Sequence, residues 1–205
     1  REIGDSSEGR VLIFEGYDPV KKVFGTVHSY LTNLRNPHSV AFYTDPQGQS
    51  WIYIALTDKL IRYPYHAGDV KPRDPAQVIS VFADYGRPWS QGGWHLTRTV
   101  VVNNNKIYVS VGSSCNSCEE KSSEPERASI LEMNPDGSEN RVFANGLRNA
   151  VGLVFKEGTL YATENSPDHL GDDRPEDTVL AIESGKEYGW PYCYQLQGKQ
   201  LADSS

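Results

Sequence analysis

No stretch of the 205 residues stays apolar for the roughly 20 positions a membrane helix requires, so no membrane span is predicted. Basic residues are scarce, with 20 Lys and Arg against 27 Asp and Glu and a net charge of −7. That balance excludes nucleic acid as a partner, because displacing its counterions takes a basic stripe. Cysteine is sparse too: Cys115 and Cys118 form a CNSC pair, and Cys193 stands alone in GWPYCY. A zinc site wants a second pair or nearby histidines, and a thioredoxin-type motif wants a βαβ setting; the sequence offers neither. A small Cys115–Cys118 disulfide loop in an oxidising compartment fits best, with Cys193 left over. Arg1 opens the chain with neither an initiator Met nor an apolar signal segment, which fits a mature secreted or periplasmic protein, or a fragment. With 38% hydrophobic and 23% charged residues, the composition is that of a soluble globular chain.

Helical periodicity is almost absent. Short runs of Val, Ile, Tyr and Phe alternate with clusters of Gly, Pro, Asn and Asp, the pattern of an all-β protein. Three segments line up: NPHSVAFYTDPQGQSWIYIAL, LTRTVVVNNNKIYVSVG and NAVGLVFKEGTLYATEN. Tyr53, Tyr108 and Tyr161 fall at matching places in them, 55 and 53 residues apart. Each unit reads as strand, tight turn, strand, long loop, strand, and the first two close on a fourth strand, VISVFA and RVFANG. Four strands at such a period predict a β-propeller of antiparallel four-stranded blades. The expected blades are 34–85, 86–146 and 147–195, after residues 1–33 as the tail of an earlier one. At about 54 residues per blade the chain holds fewer than four, the lower edge for a ring, so a partial propeller is expected. The end, QGKQLADSS, reads as a polar tail.

Loops on one face of a propeller converge on its axis, so the polar residues that lead into the innermost strands draw attention. His95 stands in GGWHLTRTV, just ahead of a run of valines. It is either a packing histidine or a general base, since imidazole titrates near neutral pH. Arg148 and Asn149, in GLRNAVG, precede a strand at the equivalent place one unit on. The earlier NLRNPH, with Arg35, Asn36 and His38, repeats that pattern, and LRN also reads simply as a turn. Residues 163–177, TENSPDHLGDDRPED, pack six carboxylates into fifteen positions. Such an oxygen-rich loop suits calcium or is a solvated acidic loop, and its spacing is not that of an EF-hand.

Taken in order, GGWHLTRTVVVNNNKIYVSVGSSCNSCEE, NPDGSENRVFANGLRNAVGL, TENSPDHLGDD and YGWPYCY resemble the glucose/sorbosone dehydrogenase family, over roughly residues 30–195 and closest to its sorbosone dehydrogenase-like branch. The resemblance implies a six-bladed propeller, of which this chain covers about half. It also implies pyrroloquinoline quinone (PQQ) and calcium as cofactors, with a sugar or aldehyde oxidised by hydride transfer to the quinone and an external electron acceptor downstream. His95 matches the base that takes the substrate's hydroxyl proton. Arg148 matches the arginine beside the quinone oxygens, and Asn149 and Asn165 match cofactor contacts. The carbonyls of Ser166 and Pro167 match calcium ligands, with Asp168 and Asp172 as additional metal candidates. Three departures stand out. Trp94 replaces an acidic residue of the glucose-oxidising relatives, which argues against glucose. Ala150 replaces a proline after LRN. The basic residues of later blades that hold the cofactor carboxylates are not in this sequence, so the remaining blades are expected partners. Two other classes stay open from the residues alone: a non-catalytic binding or scaffold propeller, and a calcium-dependent lactonase, which would need carboxylates facing the axis.

Overall fold

The computed structural model describes residues 7–83 and 94–203. Gly92 and Gly93 of the GGWH corner, and the boundary expected between residues 85 and 86, lie outside the described residues. Among those described, all regular structure is β. Strands β1 (Gly9–Asp18) and β2 (Val23–Leu34) form a long hairpin. Strands β3 (Ser39–Thr44), β4 (Ser50–Ala55), β5 (Lys59–Pro64) and β6 (Gln77–Val81) form one antiparallel sheet in chain order. A second consists of β7 (Val100–Asn103), β8 (Lys106–Val111), β9 (Ser129–Met133) and β10 (Arg141–Asn145), again in chain order. Then come a three-stranded sheet, β11 (Ala150–Lys156), β12 (Thr159–Glu164) and β13 (Thr178–Ile182), and a hairpin, β14 (Cys193–Leu196) with β15 (Lys199–Ala202). Two consecutive four-stranded meanders are the sheets expected of propeller blades.

The sheets pack face to face, and this explains why the second strand of each reads as a continuous apolar run. Successive side chains of a strand point to opposite faces, so a strand sandwiched between two sheets buries both sets. On β4, Tyr53 and Ala55 join the core shared with β7–β9, while Ile52 and Ile54 join the core under β1–β2. On β8, Ile107, Val109 and Val111 face back to that shared core, and Tyr108 faces forward against Leu160 and Ala162 of β12. Tyr161, the third of the matched tyrosines, is half-buried on the outward face of β12.

Tight turns set the registers. Asn104 and Asn105 (φ 47° and 59°) join β7 to β8, and Glu157 and Gly158 (52° and 83°) join β11 to β12. Two consecutive residues at positive φ match the twist of a two-residue hairpin. Gln197 and Gly198 (51° and 70°) do the same between β14 and β15. Residues 193–202 are therefore a hairpin, where QGKQLADSS reads as a tail. Strand β15 is exposed along its whole length, so it carries no apolar alternation and only its turn announces it. The unit expected over 147–195 contains β11–β13 and β14, whose partner β15 lies beyond residue 195.

Candidate active site

His95 sits in the segment that runs into β7, with its backbone in the left-handed region at φ 49°. That conformation is unfavourable for a side-chain-bearing residue and has to be held by its surroundings. Arg98, fully buried, donates from Nη1 to the carbonyls of His95 (2.6 Å) and Thr97 (2.9 Å). Thr57, reaching across from the preceding sheet, donates Oγ1–H to the carbonyl of Leu96 (2.8 Å). The residue opposite is Gly112, just past the end of β8. A Cβ there would fall on the Cβ of His95 and stand 2.9 Å from Oδ1 of Asn149. Gly112 thus lets His95 and Asn149 meet over bare backbone.

The hydrogen bonds settle the imidazole's tautomer. Ser113 spends its hydroxyl hydrogen on the carbonyl of Cys115 (2.6 Å). Nδ1 of His95 lies 2.9 Å from that same hydroxyl oxygen and 3.1 Å from the carbonyl of Ser113. Both neighbours can only accept, so Nδ1 carries the proton and Nε2 the lone pair. Nε2 has no hydrogen-bond partner among the described residues. Burial, then the positive charge of Arg148, push the histidine's pKa down to about 3, so the ring is neutral across the physiological range.

Arg148 is buried beside it and is joined to it through Ser113, whose N–H donates to the Arg148 carbonyl (2.8 Å). Its guanidinium donates from Nε to the carbonyl of Asn116 (3.0 Å), from Nη2 to Asn116 Oδ1 (2.6 Å) and from Nη1 to the carbonyl of Asn165 (3.0 Å). Two of the five guanidinium N–H groups remain uncommitted. Asn116 also accepts from Nε1 of Trp190 (3.1 Å) and the N–H of Asp168 (3.4 Å). The Cys115–Cys118 disulfide, with its Cα atoms 6.1 Å apart, closes the loop that presents Asn116. Among the described residues Cys193 is a free cysteine.

Glu164, at the end of β12, accepts the N–H of Asn149 on Oε1 (3.1 Å) and so braces the Arg148–Asn149 turn from behind. Oε2 is buried and has no partner among the described residues. Burial raises this carboxyl to about 8 against the pull of the Asn149 and Arg148 amides, so it is protonated at neutral pH. The Asn165–Pro167 turn follows, held by Asp177 and Glu176. Ser166 donates its N–H to Asp177 (2.9 Å) and its hydroxyl to the Glu176 carbonyl (2.8 Å). The carbonyls of Ser166 and Pro167 accept no hydrogen bond among the described residues.

The structure thus brings His95, Arg148, Asn149, Asn165 and the Ser166–Pro167 turn into one neighbourhood. Asp168 joins them by its N–H and through the effect of its charge on Arg148. Asp172 is exposed and makes no contact with this group among the described residues. Those residues also contain no cluster of three or more His, Cys, Asp or Glu side chains suited to a metal. A cation here would depend on carbonyl oxygens. The equivalent Asn36, in the earlier LRN, donates to Thr57 (3.4 Å) and serves as part of the wall. Arg98, Gly112, Ser113, Asn116 and Glu164 escaped the sequence reading. Asn116 carried a signal in its place between the paired cysteines, and Glu164 stood among the six carboxylates of residues 163–177 with no role of its own; the others look like ordinary strand and turn residues.

The arrangement fits a flat, anionic, oxygen-bearing group: a cation with two free N–H groups, an asparagine amide, an unpaired imidazole nitrogen and two free carbonyls for a metal ion. Comparison with known proteins identifies the family and the fold. The TrAA12-like family model matches residues 20–204. The fold matches that of Carbohydrate-Active Enzymes Family AA12 from Trichoderma reesei, in its iodide structure, with a TM-score of 0.73, 19% identity, and coverage of 97% of this chain and 58% of that one. It likewise matches the holo PQQ domain of pyranose dehydrogenase from Coprinopsis cinerea, with a TM-score of 0.67 and 19% identity, over 93% of this chain and 54% of that one. An uncharacterised protein of Borreliella burgdorferi is 29% identical over 153 residues, 70% of this chain and 39% of its own length. The chain therefore spans only about two fifths to three fifths of the proteins it matches.

Proposed function

The chain belongs to the TrAA12-like family, and from that premise we propose that it forms part of a secreted or periplasmic quinoprotein that oxidises a sugar or aldehyde, of the sorbosone dehydrogenase-like kind. The observation that carries this reading is the unpaired, lone-pair-bearing Nε2 of His95 beside the partly uncommitted guanidinium of Arg148. Arg148, Asn149 and Asn165 would hold pyrroloquinoline quinone, and the carbonyls of Ser166 and Pro167, helped by Asp168, would hold calcium. When bound, the quinone supplies a two-electron acceptor and calcium a Lewis acid beside it.

The protein's own share of the chemistry follows from its hydrogen bonds. Nε2 of His95 takes the hydroxyl proton of the substrate, and Ser113 steadies the imidazolium by accepting from Nδ1. Arg148 turns its two free N–H groups toward oxygen that gains negative charge, in a buried setting where such donors count most. Electrons leave the site through an external acceptor. Further blades would complete the ring, since this chain covers only 58% and 54% of the two structures whose fold it matches.

Reconstitution tests the proposal. The full-length protein with quinone and calcium should oxidise aldoses or related aldehydes with an artificial acceptor. His95→Asn should lower turnover roughly 10²- to 10⁴-fold with quinone affinity nearly unchanged. Failure to bind the quinone, or undiminished turnover in the variant, would overturn it.

A further inference from the structure

At the far end of the same strands lies a second cleft, of about 420 Å3, between the β3–β6 and β7–β10 sheets. Its walls are the β3–β4, β7–β8 and β9–β10 turns, with Tyr43, Asp45, Trp51, Arg62, Asn105 and Asp136 among the lining residues. Asn105 precedes the six residues of β8, and Gly112, under His95, follows them. The two sites are thus about 20 Å apart, on opposite faces of the molecule.

Hydrogen bonds and a cation–ring contact tie the lining side chains of the cleft together. The Arg62 guanidinium lies 3.9 Å from the ring centroid of Trp51, and the indole Nε1–H donates to Asp45 Oδ2 (3.1 Å). Arg62 is itself tethered to the Pro135 carbonyl (2.8 Å), the Tyr53 hydroxyl (3.1 Å) and Gln77 (2.9 Å). The ring is therefore held by two groups of its own sheet, one of which, Arg62, is anchored to the neighbouring sheet through Pro135. Tyr43 donates its hydroxyl to Oδ1 of Asn105, which leaves the Asn105 NH2 group without a partner among the described residues. Asp136 accepts both of its bonds from Ser138 on Oδ1, so Oδ2 is likewise open.

Each class of occupant can be weighed against these groups. A cationic ligand seeking the indole face meets a guanidinium already there. An anion meets two carboxylates, both held ionised by the hydrogen bonds they accept. A metal ion finds no cluster of three His, Cys, Asp or Glu side chains among the described residues. What remains is neutral and polar, able to donate to a carboxylate and accept from an amide on adjacent atoms while laying an apolar patch against the half-buried Tyr43 that also lines the cleft. The hydroxyls and C–H faces of a sugar do this, and the volume falls within the range of small-ligand clefts. We infer that this rim cleft binds a neutral oligosaccharide, as a site separate from the His95 centre. The inference concerns binding alone and goes beyond the proposed oxidation.

Calorimetry and saturation-transfer NMR on the full-length protein, without quinone or calcium, test it. The probes are neutral tetrasaccharides of glucose, xylose and mannose, with tetragalacturonate for comparison. At least one neutral probe should bind with a Kd below about 10 mM. The double variant Asn105→Ala/Asp136→Ala, folded by circular dichroism, should bind it about tenfold more weakly or worse. His95→Asn should bind it like the parent protein even where turnover is lost, which separates this inference from the oxidase reading. Binding of no neutral probe, preference for the uronide, an undiminished double variant, or loss of binding in His95→Asn would each overturn the inference.

Discussion

A single histidine shows how far local surroundings set a residue's chemistry. Free imidazole divides its proton between two nitrogens; in His95 the acceptors at Ser113 confine it to Nδ1. The same burial that keeps Nε2 unprotonated has a thermodynamic consequence. The folded pKa, about 3, lies below the ordinary 6.5. Between these values the unfolded chain binds a proton that the folded chain refuses, so stability present above pH 6.5 drains away as the pH falls toward 3. The slope from this one group is at most about 1.4 kcal/mol per pH unit. Denaturant titrations at stepped pH should show His95→Asn losing less stability than the parent protein across that window; equal losses would mean the imidazole is not held neutral. Glu164 carries the opposite sign. Its raised pKa makes its contribution complete below about 4.5, and that contribution is lost as the pH rises through about 8.

One element, the loop closed by Cys115 and Cys118, links covalent chemistry to the site. Its Asn116 receives two N–H groups of Arg148, the indole of Trp190 and the amide of Asp168, so it joins β11, the Ser166 turn and the segment before β14. Asn116→Ala removes only the side-chain acceptor and leaves a buried guanidinium donor unmet. The expected cost is about 1–3 kcal/mol of stability together with weaker quinone binding in the full-length protein, while Cys115–Cys118 still forms. Equilibrium unfolding alongside quinone titration checks both. A loss of stability with unaltered quinone affinity would show that Asn116 supports the fold without orienting Arg148.

At the scale of the whole molecule, stability resides between sheets. Ile107 is fully buried between the β3–β6 and β7–β10 sheets, whereas Val179 on β13 is 69% exposed in this chain. Ile107→Ala should therefore cost about 2–5 kcal/mol. Val179→Ala in the isolated 205-residue chain should change stability by no more than about 0.5 kcal/mol. If further blades complete the ring over β13, the same valine substitution in the full-length protein should cost more than about 1 kcal/mol. Parallel denaturant titrations of chain and full-length protein decide this, and a valine equally dispensable in both would argue against a covering blade.

Much of this was open to reading in one dimension. The spacing of Tyr53, Tyr108 and Tyr161, the strand–turn–strand rhythm and the fourth strands at VISVFA and RVFANG predict the sheets, because strand periodicity and turn chemistry are local properties of the chain. The β14–β15 hairpin escaped, since an exposed strand imposes no apolar pattern. His95, Arg148 and Asn149 were legible as equivalent positions of neighbouring repeats. Their supports were not. Thr57 reaches across to the Leu96 carbonyl, Gly112 makes room for two side chains from separate loops, and Glu164 braces the Arg148–Asn149 turn, each across a separation that no local pattern encodes. Sequence order by itself determined which residues stand at the strand ends. Packing of sheet on sheet decided which nitrogen of His95 holds the proton and which N–H groups of Arg148 stay free, because those depend on acceptors that only the folded chain brings within 3 Å or so.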